Sequence, residues 1–231
     1  LPKDVRIARL EPNVQAHEIA EYFLTEVFCQ LRDHDKYRAD QLAQRWDPGA
    51  PRRAVDTTVA VLGLGHIGRC VAERFSQNHF RTLGWSRTQK KIPQVLCRSG
   101  VDGLAETLSD ADFVMAILPS TPETRGYLNA ARLGLMKPGA VLLNAGRGDL
   151  IVDDDLLQAL DSGQLGGAVL DVFHREPLEE SHPFWRHEKV IITPHVSGWS
   201  LDDGLPDVAE NYIRLTEGRP LLREINRLTG Y

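Results

Sequence analysis

The sequence predicts an α/β fold: an open, doubly wound and mostly parallel sheet with helices on both sides. Three observations predict it. Short, continuously apolar runs such as Val59-Ala60-Val61-Leu62 have the character of parallel strands buried on both faces. Stretches with helical apolar spacing alternate with those runs. A glycine-rich turn, Gly63-Leu64-Gly65-His66-Ile67-Gly68, joins the first run to the helix after it.

The elements follow in chain order. Ala16, Ile19, Ala20, Phe23, Leu24, Val27, Phe28 and Leu31 fall on one broad helical face, with Asn13 as the expected N-cap. Arg32 to Arg45 is highly charged and reads as an exposed arm with helical tendency. Asp47-Pro48-Gly49-Ala50-Pro51 is a linker. Residues 57–62 form the first strand, and a helix over His66–Gln77 turns Ile67, Cys70, Val71 and Phe75 inward. Thr82–Trp85 is the second strand. A short helix over Val101–Leu108 precedes a strand at Asp112–Ile117. Ala130–Met136 is helical, and Lys137-Pro138-Gly139 ends it before a strand at Ala140–Asn144. Asp153 or Asp154 is expected to cap a helix to Leu160, which Gly163 stops. Gly167–Val172 and Val190–Ile192 are the last strands, and a helix over Leu205–Glu217 closes the chain.

Composition bounds the function. The chain has 231 residues, 42% hydrophobic and 26% charged, enough apolar content to exclude disorder. A net charge of −5 leaves no footprint for nucleic acid or an anionic membrane. No apolar run approaches the roughly 18–20 residues of a membrane span. The start, Leu1-Pro2-Lys3-Asp4, lacks the pattern of a signal peptide and an initiator Met, so a chain beginning partway through a longer protein is expected. Cys29, Cys70 and Cys97 are few, odd in number and scattered, which fits a reducing, cytoplasmic setting. His174, His182 and His187 crowd one region without metal spacing and read as loop residues; no metal site is expected.

The glycine turn matches G-x-G-x-x-G in its informative context, after a strand and opening a helix, as in a Rossmann-type domain. Gly63 allows the tight turn, Gly65 the approach of a pyrophosphate, and Gly68 close helix–strand packing. His66 and Ile67 offer backbone N–H groups to the phosphates, His66 through its main chain rather than its ring. About 20 residues on, an NAD site would place an acid against the ribose. Here stand Ser86, Arg87, Lys90 and Lys91, and no acid. That set suits a 2′-phosphate, so NADP(H) is favoured; the alternative is a solvated loop in an enzyme indifferent to the phosphate, with NAD(H) accepted.

Three further segments carry polar groups at predicted strand ends, where open α/β sheets bind ligands. They are Asn144-Ala145-Gly146-Arg147-Gly148, Asp171-Val172-Phe173-His174-Arg175-Glu176-Pro177-Leu178 and Thr193-Pro194-His195-Val196-Ser197-Gly198. With Leu118-Pro119-Ser120-Thr121-Pro122-Glu123-Thr124, and in this order, they resemble the D-isomer-specific 2-hydroxyacid dehydrogenases. Within that family, Ser86-Arg87 and the Ala16–Tyr22 helix are most similar to the glyoxylate/hydroxypyruvate reductases.

The resemblance implies a catalytic set of Arg147, Glu176 and His195, and a small 2-oxo acid as substrate. General chemistry agrees. A histidine titrates near neutrality, so His195 suits a proton donor. Glu176 would orient its ring and favour the imidazolium. Arg147 offers a planar fork for the substrate carboxylate and carbonyl. Leu118, Pro119, Ala145, Arg147, Asp171 and His195 are expected to border the cofactor, Asp171 at its nicotinamide end. Trp199 lines the pocket or simply packs.

The resemblance also divides the chain. Residues 1–12 read as a remnant of a substrate domain, and 13–50 as a helix and dimerisation arm at a homodimer interface. Residues 51–200 read as the dinucleotide-binding domain, and 201–231 as a helix and tail returning toward the substrate domain. About a hundred residues of that second domain are expected upstream. Without them Arg147 and His195 would face open water, and turnover would be slow. Two other readings compete: a nicotinamide-sensing interaction module like the related corepressors, and an inactive cofactor-binding remnant. The Arg/Glu/His set argues for chemistry.

NADPH is predicted to bind more tightly than NADH. Arg87→Ala should cost NADPH about ten- to a hundredfold in affinity, the value of a charge-assisted contact. Titration with both cofactors checks this, and equal affinities in the unaltered protein would remove the inference.

Overall fold

The computed structural model describes residues 5–200 and 202–225. The first four residues of the expected remnant and the last six of the expected tail lie outside the described residues.

Seven strands, all parallel, form one sheet in the order β3-β2-β1-β4-β5-β6-β7. They are β1 (Thr58–Leu62), β2 (Arg81–Ser86), β3 (Leu96–Ser99), β4 (Phe113–Ala116), β5 (Ala140–Asn144), β6 (Leu165–Leu170) and β7 (Val190–Ile192). Order reverses between β1 and β4, and such a switch point opens a crevice at the carboxyl ends of the strands. The helices are α1 (Asn13–Leu31), α2 (His34–Leu42), α3 (His66–Gln77), α4 (Gly100–Asp110), α5 (Ala130–Leu133), α6 (Asp153–Asp161) and α7 (Leu205–Thr216). None of the described helices is long and apolar enough to cross a membrane.

Alternation along each strand creates two cores. Val59, Val61, Phe113, Met115, Val141 and Leu143 point toward α1 and α3, meeting Phe23, Val27, Val71 and Phe75. Ala60, Leu62, Val114, Ala116 and Leu142 point the other way, toward Leu104 and Leu108 of α4, Leu133 of α5 and Leu156 and Leu160 of α6. The continuous apolar character of β1, β4 and β5 follows: both faces are covered.

Several elements depart from expectation, each for a tertiary reason. β3 has no apolar run to announce it; it is a partly exposed edge strand recruited by pairing with β2. Asn13 does not cap α1 but is its first residue; the Asp203 carboxylate accepts from the N–H groups of Asn13 (2.6 Å) and Val14 (3.2 Å). Neither Asp153 nor Asp154 caps α6, whose first residue is Asp153. Asp155 of that turn instead accepts from the Ala130 N–H, at the start of α5, at 2.7 Å. α5 stops at Leu133, with Gly134 as its C-cap, short of Met136. β6 begins and ends two residues before the predicted strand, which releases Asp171 into the following loop.

The charged arm is helical in part, as α2, and its Asp40 is buried between Lys36 (2.7 Å) and Arg45 (3.3 Å). The buried face of α1, Ile19, Ala20, Phe23 and Val27, packs within this chain's own core beside α3. The N-terminal segment pairs antiparallel with the tail: Arg9 N–H donates to Arg223 O and Ile225 N–H to Ile7 O.

The tightest packing is between β1, its turn and α3. A Cβ on Gly68 would lie 1.7 Å from the Gly63 carbonyl oxygen. A Cβ on Gly84 would lie 2.8 Å from the Leu64 side chain. Gly68→Ala should therefore destabilise by about 1–3 kcal/mol. Gly84→Ala should cost less, because a leucine can rotate and a turn carbonyl cannot. Denaturant melts of both variants check the order; equal losses would mean that α3 is free to shift.

Candidate active site

Six strand-end loops, in four groups, converge on the crevice. The first is the turn after β1. Gly63 has φ +102°, a left-handed value that suits glycine, and its N–H donates to Trp85 O. Nothing lies within 4 Å of a Cβ built on Gly65. No side chain caps α3 there, so its first N–H groups, His66 and Ile67 among them, remain for an anion. Open space at Gly65 before a bare helix start fits a dinucleotide pyrophosphate. The His66 ring is exposed, while Ile67 is half-buried against the core.

The second loop follows β2. Ser86 is buried and its hydroxyl donates to Thr88 O at 2.8 Å. Arg87, Lys90 and Lys91 are exposed. Across the crevice Glu123 lies in the third loop, after β4. Its carboxyl is held below the usual carboxylate range by a hydrogen bond with Thr121, its own N–H and the Arg87 charge. Leu118 is buried and Pro119 exposed in that loop; Pro119 O accepts from the Thr124 hydroxyl at 2.6 Å.

The fourth group is the loops after β5, β6 and β7. Buried Asn144 accepts from Gly146 N–H (3.0 Å) and donates to Arg147 O (2.9 Å), clamping the turn that carries Ala145 and Arg147. The Arg147 guanidinium donates to Gly146 O at 2.7 Å and is exposed. A Cβ on Gly148 would lie 1.9 Å from the Phe173 carbonyl carbon. Only glycine lets the Arg147 turn sit against the Phe173–Glu176 loop.

Glu176 accepts from Phe173 N–H at 3.0 Å through one oxygen and faces His195 Nδ1 at 2.7 Å through the other. An ionised carboxylate only accepts, so Nδ1 carries a hydrogen and Nε2 is the atom left to meet a substrate. Burial pushes the Glu176 carboxyl up, but the hydrogen bonds from His195 and Phe173 outweigh it and hold the group below its usual range. His195 itself has φ +57°, a left-handed conformation uncommon for a non-glycine residue.

Asp171 is wholly buried. It accepts from the Thr193 hydroxyl (2.5 Å), Val196 N–H (2.9 Å) and Ser197 N–H (2.9 Å). Its carboxylate thus holds the His195 loop. Trp199 is exposed, with its N–H on Glu18. His174 and His182 lie 3.6 and 3.4 Å from Asp153, and His187 is 3.3 Å from Asp161. Among the described residues no His/Cys/Asp/Glu group could hold a metal ion. Asn144, Thr193, Glu18 and Tyr22 lie inside the motif segments of the sequence, which by itself gives none of them a role. The last two sit on a helix well before the glycine turn in sequence, and only their contacts reveal them.

Comparison with known proteins follows the same lines. A family model described as "D-isomer specific 2-hydroxyacid dehydrogenase, NAD binding domain" matches residues 24–197. Glyoxylate/hydroxypyruvate reductase A of Serratia proteamaculans is 39% identical over 232 aligned positions, covering 100% of this chain and 74% of the relative. The chain spans about three quarters of that relative's length. Among solved structures, a D-isomer specific 2-hydroxyacid dehydrogenase from Xanthobacter autotrophicus in complex with NADPH and MES superposes with a TM-score of 0.93 at 35% identity, covering 99% of this chain and 95% of that one. An NADPH-dependent glyoxylate/hydroxypyruvate reductase from Sinorhizobium meliloti, in complex with NADP and sulfate, also gives 0.93 at 35% identity, covering 100% of this chain and 74% of that one.

The Glu176–His195 pair makes a pH prediction. Its lowered carboxyl contributes stability above the unfolded carboxylate range, lost as pH falls through the folded value. His195→Ala removes a lowering partner and leaves burial, so the Glu176 titration should move up. Carbon-13 NMR of the side-chain carboxyl reads this; an unmoved midpoint would mean that the pair does not form in solution.

Proposed function

The chain belongs to the D-isomer-specific 2-hydroxyacid dehydrogenase family, and on that footing we propose that it reduces a small 2-oxo acid of the glyoxylate/hydroxypyruvate class with NADPH, giving the D-2-hydroxy acid. The family makes it an NAD(P)-dependent dehydrogenase; substrate and site roles are the finer reading. The observation that carries those roles is the 2.7 Å contact between His195 Nδ1 and Glu176, on a loop packed against the Arg147 turn at Gly148.

NADPH, when bound, supplies a hydride to the carbonyl carbon. The turn shaped by Gly63 and Gly68, open at Gly65, would hold its phosphates on the N–H groups of His66 and Ile67, and Arg87, beside Ser86, would meet its 2′-phosphate. Leu118, Pro119, Ala145 and Asp171 border the remaining length. Arg147 pairs with the substrate carboxylate and polarises the carbonyl. His195 passes its Nε2 proton to the carbonyl oxygen as that oxygen gains charge, and solvent restores the proton. Glu176 keeps Nδ1–H oriented, so that the proton leaves from Nε2. A glyoxylate/hydroxypyruvate preference rests on the relatives' names and on Ser86-Arg87. A homodimer through the helix and arm of residues 13–50 would draw on the arm's exposed Leu42 and Trp46.

The test is comparative. NADPH consumption with glyoxylate and with hydroxypyruvate is measured for the unaltered protein and for His195→Ala. The substitution should lower kcat by about 10²–10⁴ and leave NADPH affinity near its original value. Undiminished turnover in His195→Ala would overturn the reading.

A further inference from the structure

We propose that helix α1 positions the proton donor: Tyr22 and Glu18 fix His195 through the loop of residues 193–200. The proposal rests on the reading of His195 as the donor.

The starting point is backbone conformation. His195 stands at φ +57°, which a non-glycine residue keeps only when its surroundings impose it. Asp171 supplies the inner anchors, at Thr193, Val196 and Ser197. The outer anchors all come from α1, at positions 15, 18 and 22, which share one side of a helix. Gln15 donates to Gly198 O at 3.2 Å. Glu18 accepts from Trp199 N–H and Ser200 N–H, both at 2.8 Å, and from the Ser200 hydroxyl at 2.6 Å. Tyr22 meets the Thr193 hydroxyl at 2.8 Å. The loop is thus pinned before His195 and after it, and the helix lies close: a Cβ on Gly198 would be 2.7 Å from Ile19.

The direction of the Tyr22 bond follows by elimination. Thr193 has one hydroxyl hydrogen, and Asp171 receives it. Thr193 therefore accepts, and Tyr22 donates. Burial and the nearby Asp171 and Glu26 charges push the Tyr22 phenol upward against the opposing Thr193 bond, so it keeps its proton through the neutral range. The result is a relay of fixed sense: Tyr22 to Thr193 to Asp171, with Val196 and Ser197 N–H on the same carboxylate. Glu18 is suited to its task as well. Hydrogen bonds from Ser200, through hydroxyl and N–H, and then from Trp199 hold its carboxyl below the ordinary range against desolvation.

The adjoining apolar face of α1 explains why a helix serves here. Ile19, Ala20, Phe23 and Val27 are buried beside Val71, Ala72 and Phe75 of α3, the helix whose first turn faces the nucleotide site. One rigid element thus touches both the loop of the proton donor and the helix expected to hold the hydride carrier. A shift of α1 would change the distance between the two partners of the reaction.

The experiment compares Tyr22→Phe, Glu18→Ala, Glu18→Gln and His195→Ala. Tyr22→Phe keeps the ring and removes one hydrogen bond; kcat should fall about tenfold. NADPH affinity should hold, and the solvent deuterium isotope effect on kcat should rise as proton transfer becomes limiting. Glu18→Ala should act likewise, and Glu18→Gln should recover part of the loss, because an amide oxygen still accepts from backbone N–H. Amide hydrogen exchange of the 193–200 loop should quicken in Tyr22→Phe and Glu18→Ala while β1 and α3 keep their protection. Unchanged kcat, isotope effect and loop exchange in these variants, with His195→Ala inactive, would overturn the positioning role alone. A His195→Ala protein that keeps its rate would overturn the proton-donor reading, and loop exchange would then still decide whether α1 holds the loop.

Discussion

A carboxylate with no exposed surface must find its hydrogen bonds inside the protein, and Asp171 finds them in the loop after β7. Much else is arranged around that demand. Thr193, Val196 and Ser197 have to converge on one carboxylate, and between them the chain turns through a left-handed residue, His195. The turn aims the imidazole back over the β6 loop, where Glu176 waits at 2.7 Å. α1 then supports the same loop from outside through Gln15, Glu18 and Tyr22. A buried polar network of this kind rigidifies when every member is satisfied.

The parallel sheet supplies the stage. Its strands all end on one side, so loops far apart in sequence meet in one crevice. Two contacts at glycine make the meeting close. Gly68 lets α3 sit on the turn that begins at Gly63, and Gly148 lets the Arg147 turn sit on the Phe173 loop. Each is a contact with backbone, which leaves a side chain no room to yield.

How much of this was legible in the sequence depended on how local the cause was. β1, β5 and α3 were legible because buried parallel strands and a glycine turn before a helix carry their own patterns. Gly63, Gly65 and Gly68 were legible as a tight turn opening a helix for the same reason. Arg147, Glu176 and His195 were legible as a set through motif resemblance; their separation in sequence said nothing of distance. β3 was not legible, since an edge strand takes its conformation from its neighbour. The α1 cap was not, because Asp203 lies 190 residues from Asn13. Glu18 and Tyr22 looked like ordinary polar positions on an amphipathic helix.

The chain's own order of apolar runs, helical periods and glycines thus sufficed for the fold class and the turn that suits a dinucleotide. These features act within one element or between neighbours, where sequence spacing and physical spacing coincide. Tertiary structure decided the rest. It brought His195 to Glu176, seated the Arg147 turn against the Glu176 loop, turned the apolar face of α1 into the core and aimed its polar side at the His195 loop. Those outcomes depend on burial and hydrogen-bond satisfaction among groups distant in sequence, which only the folded chain brings within reach.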